Sequence, residues 1–298
     1  MEPYPWSPEV PRRAWTARLN PVVFWVVQAS ALLAFFAPFS WALLAVAGLS
    51  YLLRMLGITL GFHRHFAHRA FEMSRPVRLF WAILGTAAMQ KGPLWWAGNH
   101  VYHHRYADRE GDPHSPRRDG FYHAHIGWFL DDVRHDQVDA RNPVVRHFSR
   151  FPEIRWLDRL YALPPLALAA VLFLWGGLPL LVWGFCLPTV ALAHATFAIN
   201  TVNHLVGTRR FPTSDDSRNN PVTALLTLGE GWHNNHHRYQ RAARNGFYWW
   251  EIDPTHWVIE VMGRLGLAWD IQQVPQRIYR EAGLAMPPGP PAIEIASS

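Results

Sequence analysis

The chain has 298 residues, half of them hydrophobic, with 16 tryptophans, 17 histidines and a single cysteine, which is length enough for one large domain or two small ones. A mean hydropathy of only −0.07 beside that apolar half implies strongly apolar blocks alternating with strongly polar ones. The lone Cys186 excludes an internal disulfide and a cysteine-based zinc framework, while the net charge of +6 suits an anionic membrane surface, nucleic acid or an anionic substrate without choosing among them.

Residues 1–20 form a polar, Pro-rich segment that lacks the apolar stretch of a cleaved signal peptide. Pro21–Phe39 then runs 19 residues without a charge, and Trp41–Leu60 carries only Arg54. A helix spanning a hydrocarbon core of about 30 Å needs about 20 mainly apolar residues, so both blocks qualify. Arg54 is expected to snorkel or to sit where the second helix has left the bilayer. Pro76–Met89 is a shorter apolar run, expected to lie along the membrane or to cap the cytoplasmic part. Leu160–Gly177 and Leu178–Ile199 form a second apolar pair, the first of them short for a span. The pairs turn near "APFS" and "WGGLP", and neither turn contains Lys or Arg. The fold expected is therefore an all-α, multi-pass integral membrane protein: four transmembrane helices in two hairpins, with a helical cytoplasmic cap. The positive-inside rule puts both termini and the long middle segment in the cytoplasm. The domain is drawn at residues 21–275, and a Pro-rich tail at 276–298 is expected to be disordered at "AMPPGPPAIEIASS".

Histidine is the chemical signal. His63 and His68 stand in "HRHFAH", His100, His103 and His104 in "NHVYHH", His204 in "NTVNHL", and His233, His236 and His237 in "WHNNHH". On a helix, residues three or four apart share a face, so each H-x-x-H-H can aim three imidazoles at one point or at two adjacent points. His63 and His68, five apart, converge only if the helix frays or unwinds or if they serve different metals; His65 points away. Asn200, four before His204, shares its face. A lone histidine is usually a surface or core residue. Two H-x-x-H-H copies, an H-x4-H and a satellite beside apolar blocks make unrelated surface histidines a poor explanation. Nine candidates exceed the needs of one metal, and iron suits such positions for oxygen chemistry. Of the others, His114, His135, His147 and His256 are read as ordinary polar-segment histidines. His194 is expected to hydrogen-bond between helices, and His123 and His125 to be second-layer or interfacial groups.

The ordered set "GFHRHFAH", "NHVYHHRYAD", "DPHSPRRDGFYHAHIGW", "NTVNHL" and "GEGWHNNHH" resembles the membrane acyl-CoA desaturases of the stearoyl-CoA desaturase type, over most of the chain. The resemblance implies a mushroom-shaped four-span bundle and a histidine-held centre of two iron ions (Fe2+). It implies as ligands His63, His68, His100, His103, His104, His204, His233, His236 and His237, with Asn200 holding a metal-bound water. Gln90, Trp96 and Thr196 match the residues that shape the bend of the acyl tunnel. The reaction implied consumes dioxygen and two external electrons to make a cis double bond, at carbon 9, in a saturated acyl chain carried as acyl-CoA. The chain departs from the animal enzymes at Gly98 and Asn99, where they carry an Arg-Asp pair that helps bind coenzyme A. Coenzyme A, acyl carrier protein and a glycerolipid therefore stay open as carriers, and Arg105, Arg117 and Arg118 could meet an anionic headgroup or anionic lipid. No b-type cytochrome domain is recognisable, so the electron donor is expected to be a separate ferredoxin, cytochrome or reductase.

The nearest rival is a hydroxylase or ketolase on the same scaffold. A metal transporter is disfavoured because its ionisable ligands would lie within the spans near mid-bilayer, whereas these histidines follow or separate the apolar blocks. Nucleic-acid binding has only the positive charge behind it and is set aside.

Overall fold

A computed structural model describes residues 14–130 and 143–283. Most of the polar N-terminal segment, the "AMPPGPPAIEIASS" stretch and His135 lie outside the described residues. The first apolar block is α1 (Ala14–Ser30), which runs on as a 3-10 turn over Ala31–Phe35. The chain reverses before α2 (Trp41–Leu56), whose N-terminus is capped by Ser40: its hydroxyl oxygen accepts from Leu43 N at 3.1 Å. α2 passes without a break into a π-helix, Gly57–Ala67.

After β1 (Glu72–Met73) come α3 (Arg75–Thr86), α4 (Pro93–Tyr106), α5 (Pro116–Tyr122), α6 (Trp128–Leu130), α7 (Pro143–Phe148) and α8 (Pro152–Arg159). The second apolar pair is α9 (Leu163–Leu181), a π turn over Val182–Cys186, and α10 (Leu187–Leu205). Four short helices follow: α11 (Pro221–Leu226), α12 (His233–Arg238), α13 (Pro254–Arg264) and α14 (Gln276–Glu281), with β2 (Ala268–Trp269) before the last. The antiparallel pairing of β1 with β2 is the only sheet among the described residues, beside an otherwise helical architecture. Ile278 and Tyr279 of α14 are buried beside Phe211 and Phe247, so packed structure continues past residue 275.

Two helical runs are long and apolar enough to cross a membrane, Trp41–Ala67 and Leu163–Leu205, while Pro21–Phe35 is shorter. The second run is two segments. Gly176 and Gly177 leave helical geometry, and Gly177 adopts φ +63°, which glycine accepts without a Cβ clash. That break falls inside "WGGLP". Trp41 and Trp175 at the hairpin turns are 78% and 82% exposed, the placing favoured by indoles at a membrane–water boundary.

Arg54 does not snorkel to solvent. It is buried and donates to Ser50 O, Thr189 Oγ1 and Ala87 O at 3.1, 2.6 and 3.4 Å. Acceptors inside the protein replace water, which the apolar pattern of α2 alone could not reveal. α3 turns Trp81 and Ala82 onto the π-helix and leaves Phe80 and Ile83 exposed.

The α3 contact depends on glycine. A Cβ on Gly57 would lie 2.2 Å from Gly85 N, and one on Gly85 would lie 2.7 Å from Gly57 O. Backbones approach this closely only where side chains are absent. Gly57→Ala is expected to overpack the crossing at a cost of about 1–3 kcal/mol, read as a lower melting temperature in detergent. An unchanged melting temperature would contradict the close contact.

Candidate metal centre

His63 and His68 sit about 140° apart on an ideal α-helix, yet their rings meet with centroids 4.7 Å apart. The helix neither frays nor splits its histidines between clusters. It under-winds: His68 N donates to His63 O at 3.1 Å, the i→i+5 bond of a π-helix, which stacks residues five apart on one face. His65 turns away, toward Phe71 O and the Arg78 guanidinium.

The other ligand-type side chains sort by helical spacing. His100 and His104, four apart on α4, join His63, His68 and His236; the five ring nitrogens all lie within 4.8 Å of one another. His103, on the adjoining face of α4, joins His204, His233 and His237 under the same limit. α12 mirrors α4: His233 and His237, four apart, serve the second cluster and His236 the first. The clusters abut, with the His104 and His237 rings 4.4 Å apart. The two asparagines inside "HNNHH" face the other way and pin this six-residue helix. Asn234 Oδ1 accepts from Arg210 N and Phe211 N at 2.8 and 2.7 Å, and Asn235 Nδ2 donates to Glu251 Oε2 at 2.9 Å.

Four carboxylates that sequence reading missed stand behind these rings. His103 Nδ1 meets Asp112 at 2.9 Å, His204 Nδ1 meets Asp108 at 2.8 Å, His237 Nδ1 meets Asp215 at 3.0 Å, and His63 Nδ1 lies 2.5 Å from Glu230. Burial opposes charge on Asp108, but the His204 ring and the Asp216 N–H outweigh it and hold the carboxyl down at about 2. Asp112 and Asp215 lie below the usual carboxylate range for the same reason, through His103 and His237. Burial, reinforced by neighbouring imidazoles, pushes His68, His100, His104, His233 and His236 well below the ordinary histidine value, so these rings are neutral.

This donor set fits a bound cation. A neutral imidazole has one N–H. In the second cluster the carboxylates claim it at Nδ1 of His103, His204 and His237, which leaves lone pairs converging at Nε2. His103 Nε2 and His237 Nε2 have no hydrogen-bond partner among the described residues. In the first cluster successive Nε2 atoms of His68, His100, His104 and His236 stand 2.9 Å apart. At this spacing the lone pairs are offset either by a ring proton shared between two neighbours or by a positive ion among all of them, and a carboxylate behind the ring, as in the second cluster, is the usual orienting partner of a metal-bound histidine.

The profile of the family "Fatty acid desaturase" matches residues 39–272. The chain belongs to the fatty acid desaturase family. It is 41% identical over 266 residues to the icosanoyl-CoA 5-desaturase of Limnanthes douglasii, covering 88% of this chain and 74% of that protein. It is 39% identical to the chloroplastic palmitoyl-monogalactosyldiacylglycerol delta-7 desaturase of Arabidopsis thaliana, over 83% of this chain and 67% of the relative. With the sn-2 palmitoyl-lipid 9-desaturase of Nostoc sp. it shares 37% identity over 89% of this chain and 92% of the relative.

This desaturase brings Gln90, Trp96 and Thr196 together beside the first cluster. Gln90 Nε2 donates to Thr196 Oγ1 at 2.6 Å, Trp96 Nε1 donates to Gln90 Oε1 at 3.2 Å, and the Trp96 indole stacks on His100 at 5.0 Å. With Asn200 and Phe197 they line a small cavity of about 40 Å³. His114 is one of the histidines given an ordinary reading. It is buried in that cavity wall, and its backbone N–H donates to Asp112 Oδ1 at 3.1 Å. The signal available was the acidic run "DREGDPH" that follows "NHVYHHRYA", which places Asp112 to meet both His103 and His114. His256 is likewise buried, against Glu260 at 3.1 Å, while His147 packs edge-on to Phe148. His194 does bond between helices, to His125 Nε2 at 3.0 Å and Gln28 Oε1 at 3.1 Å, and His123 bonds Pro113 O; none of the three joins either cluster. Asn99 is buried and donates to Trp95 O at 2.9 Å. Arg105, Arg117 and Arg118 are exposed, Arg117 pairing with Asp216 at 3.2 Å.

Proposed function

We propose that this desaturase is a multi-pass membrane enzyme whose nine clustered histidines hold two iron ions, and that it introduces a cis double bond at carbon 9 of a saturated acyl chain carried as its coenzyme A thioester. The observation that carries this reading is the pair of abutting imidazole clusters, five rings and four, with their nitrogens converging. Bound iron would supply, with dioxygen, the oxidising power to take hydrogen from an unactivated methylene, which no side-chain acid or base can do. The reaction balances as one CH2–CH2 unit, O2, two electrons and two protons giving CH=CH and two waters, with the electrons drawn from a separate ferredoxin, cytochrome or reductase.

The chain's own residues perform the positioning. Asp108, Asp112 and Asp215 fix the tautomer and tilt of the rings they touch. The Gln90–Trp96–Thr196 bonds hold the indole over His100, and the cavity beside them would hold one carbon pair against the first cluster while keeping out bulk water. Asn200, in the same wall, is the residue proposed to hold a metal-bound water. The four apolar segments would cross the bilayer, with termini and histidines on the cytoplasmic side. Exposed indoles at turns free of Lys and Arg support that orientation.

The test is expression in a host of defined fatty-acid profile, with lipids analysed by gas chromatography–mass spectrometry and metal measured on purified protein. A new monounsaturated acid that vanishes in His236→Ala, with about two irons per chain, is the expected result. A hydroxylated or keto product, or a single zinc, would overturn the reading. Thr196→Phe is expected to shift double-bond position or chain-length choice; an unchanged product profile would remove Gln90, Trp96 and Thr196 from the tunnel.

A second reading, a glycerolipid carrier, is favoured by the nearly full-length match to a lipid-acting 9-desaturase and by the buried, uncharged Asn99. A pulse of labelled saturated acid separates the two: first appearance of product in the acyl-CoA pool supports the thioester, and first appearance within intact glycerolipid supports the lipid.

A further inference from the structure

The cap carries an apolar face that neither cluster nor cavity uses. On α13, Ile259 and Met262 point into the core, while Trp257, Val261 and, at the helix's C-cap, Leu265 recur every four residues on the other side, 54%, 52% and 67% exposed. Beside it α11 exposes Val222 and Leu225, each at 66%, within a stretch that has no charged residue from Pro221 to Gly229. Trp249 stands out at 81% exposed nearby in the chain. Surface leucines and valines are ordinary when scattered, but a gathered face marks an interaction surface.

Two hydrogen bonds fix the height of this face against the second apolar run. Tyr51 OH donates to Leu226 O at 2.6 Å, and the Thr59 and Thr255 hydroxyls meet at 2.8 Å. The run begins at Trp41, and about 20 residues fill the hydrocarbon core, so Tyr51 and Thr59 both fall within the bilayer's thickness. α11 and the start of α13 therefore lie beside the span rather than above it. The Tyr51 bond has a further meaning. Leu226 O is at the end of a helix, where carbonyls lack an intrahelical partner, and a protein donor for it is what a lipid surrounding demands.

We propose that α11 and the outer face of α13 are sunk into the acyl region of the cap-side leaflet, as a wedge that does not span the membrane, beside the second span. The inference rests on the membrane reading above. It sets the depth of the histidine clusters, because Thr255 anchors α13 to the helix that carries His63. An acyl chain would then reach the site from the leaflet without crossing water.

Nitroxide labels at Leu225→Cys, Val222→Cys and Val261→Cys, in a Cys186→Ser background, test it in phosphatidylcholine–phosphatidylglycerol vesicles. Leu49→Cys on α2 and Arg277→Cys on α14 serve as span and aqueous references, and unchanged metal content and helicity certify folding. The expected result is that the three face labels match Leu49, with collisions favouring oxygen over a nickel chelate, the reverse of Arg277. Face labels that behave like Arg277 while Leu49 stays lipid-like would overturn this inference alone. A Leu49 label open to nickel would overturn the membrane reading and this inference with it. Spin–spin broadening between copies at Leu225 would assign the face to a second chain and also overturn it.

Discussion

His233→Ala is expected to lower bound metal from about two ions per chain to about one and to cut desaturation by at least about 100-fold. The second cluster has four imidazoles, so removing His233 leaves three. It also removes the ring whose Nε2 faces His204 Nε2 at 3.1 Å. His68→Ala is the informative contrast. The first cluster begins with five rings and keeps four, so that variant is expected to retain metal better than His233→Ala while still losing activity. Elemental analysis of the two purified variants, alongside product yield, makes the comparison. Equal metal loss in both would argue against the division into five and four.

The second large effect is expected from residues that touch no metal position. Asp215→Asn keeps an oxygen beside His237 Nδ1 but removes the charge that fixes which ring nitrogen carries the proton. Such partners are worth about 10–100-fold in metal affinity or activity, so metal should dissociate that much more readily in a chelator competition while helicity stays intact. Asp108→Asn should behave alike through His204, and Asp216→Asn, the partly exposed neighbour of Asp215, should not. Matching affinities for Asp215→Asn and Asp216→Asn would reduce the carboxylates to bystanders.

Helical character, the apolar blocks and the histidines with ligand spacing were legible because each is a local pattern. Periodicity marks a helix wherever it packs, and H-x-x-H-H declares a shared face. The π-helix was not legible in that way. His63 and His68 at a spacing of five contradict an α-helix, and the sequence offers fraying, unwinding or separate metals equally; only the i→i+5 bond decides. The Asp108–His204 pair is separated by 96 residues, so no window in the sequence joins them. Arg54 is the same lesson in an apolar helix, since Thr189, 135 residues away, is the acceptor that makes its burial tolerable.

α4 and α12 each send side chains into both clusters, two to one and one to the other. Among the described residues no carboxylate lies between the clusters; those present sit behind the rings, at Nδ1. The gap between the two groups of nitrogens is therefore gauged by the rise of a helix from one residue to the next. Two helices act as rulers, and neither cluster can be stretched or tilted without moving its neighbour through the same two backbones.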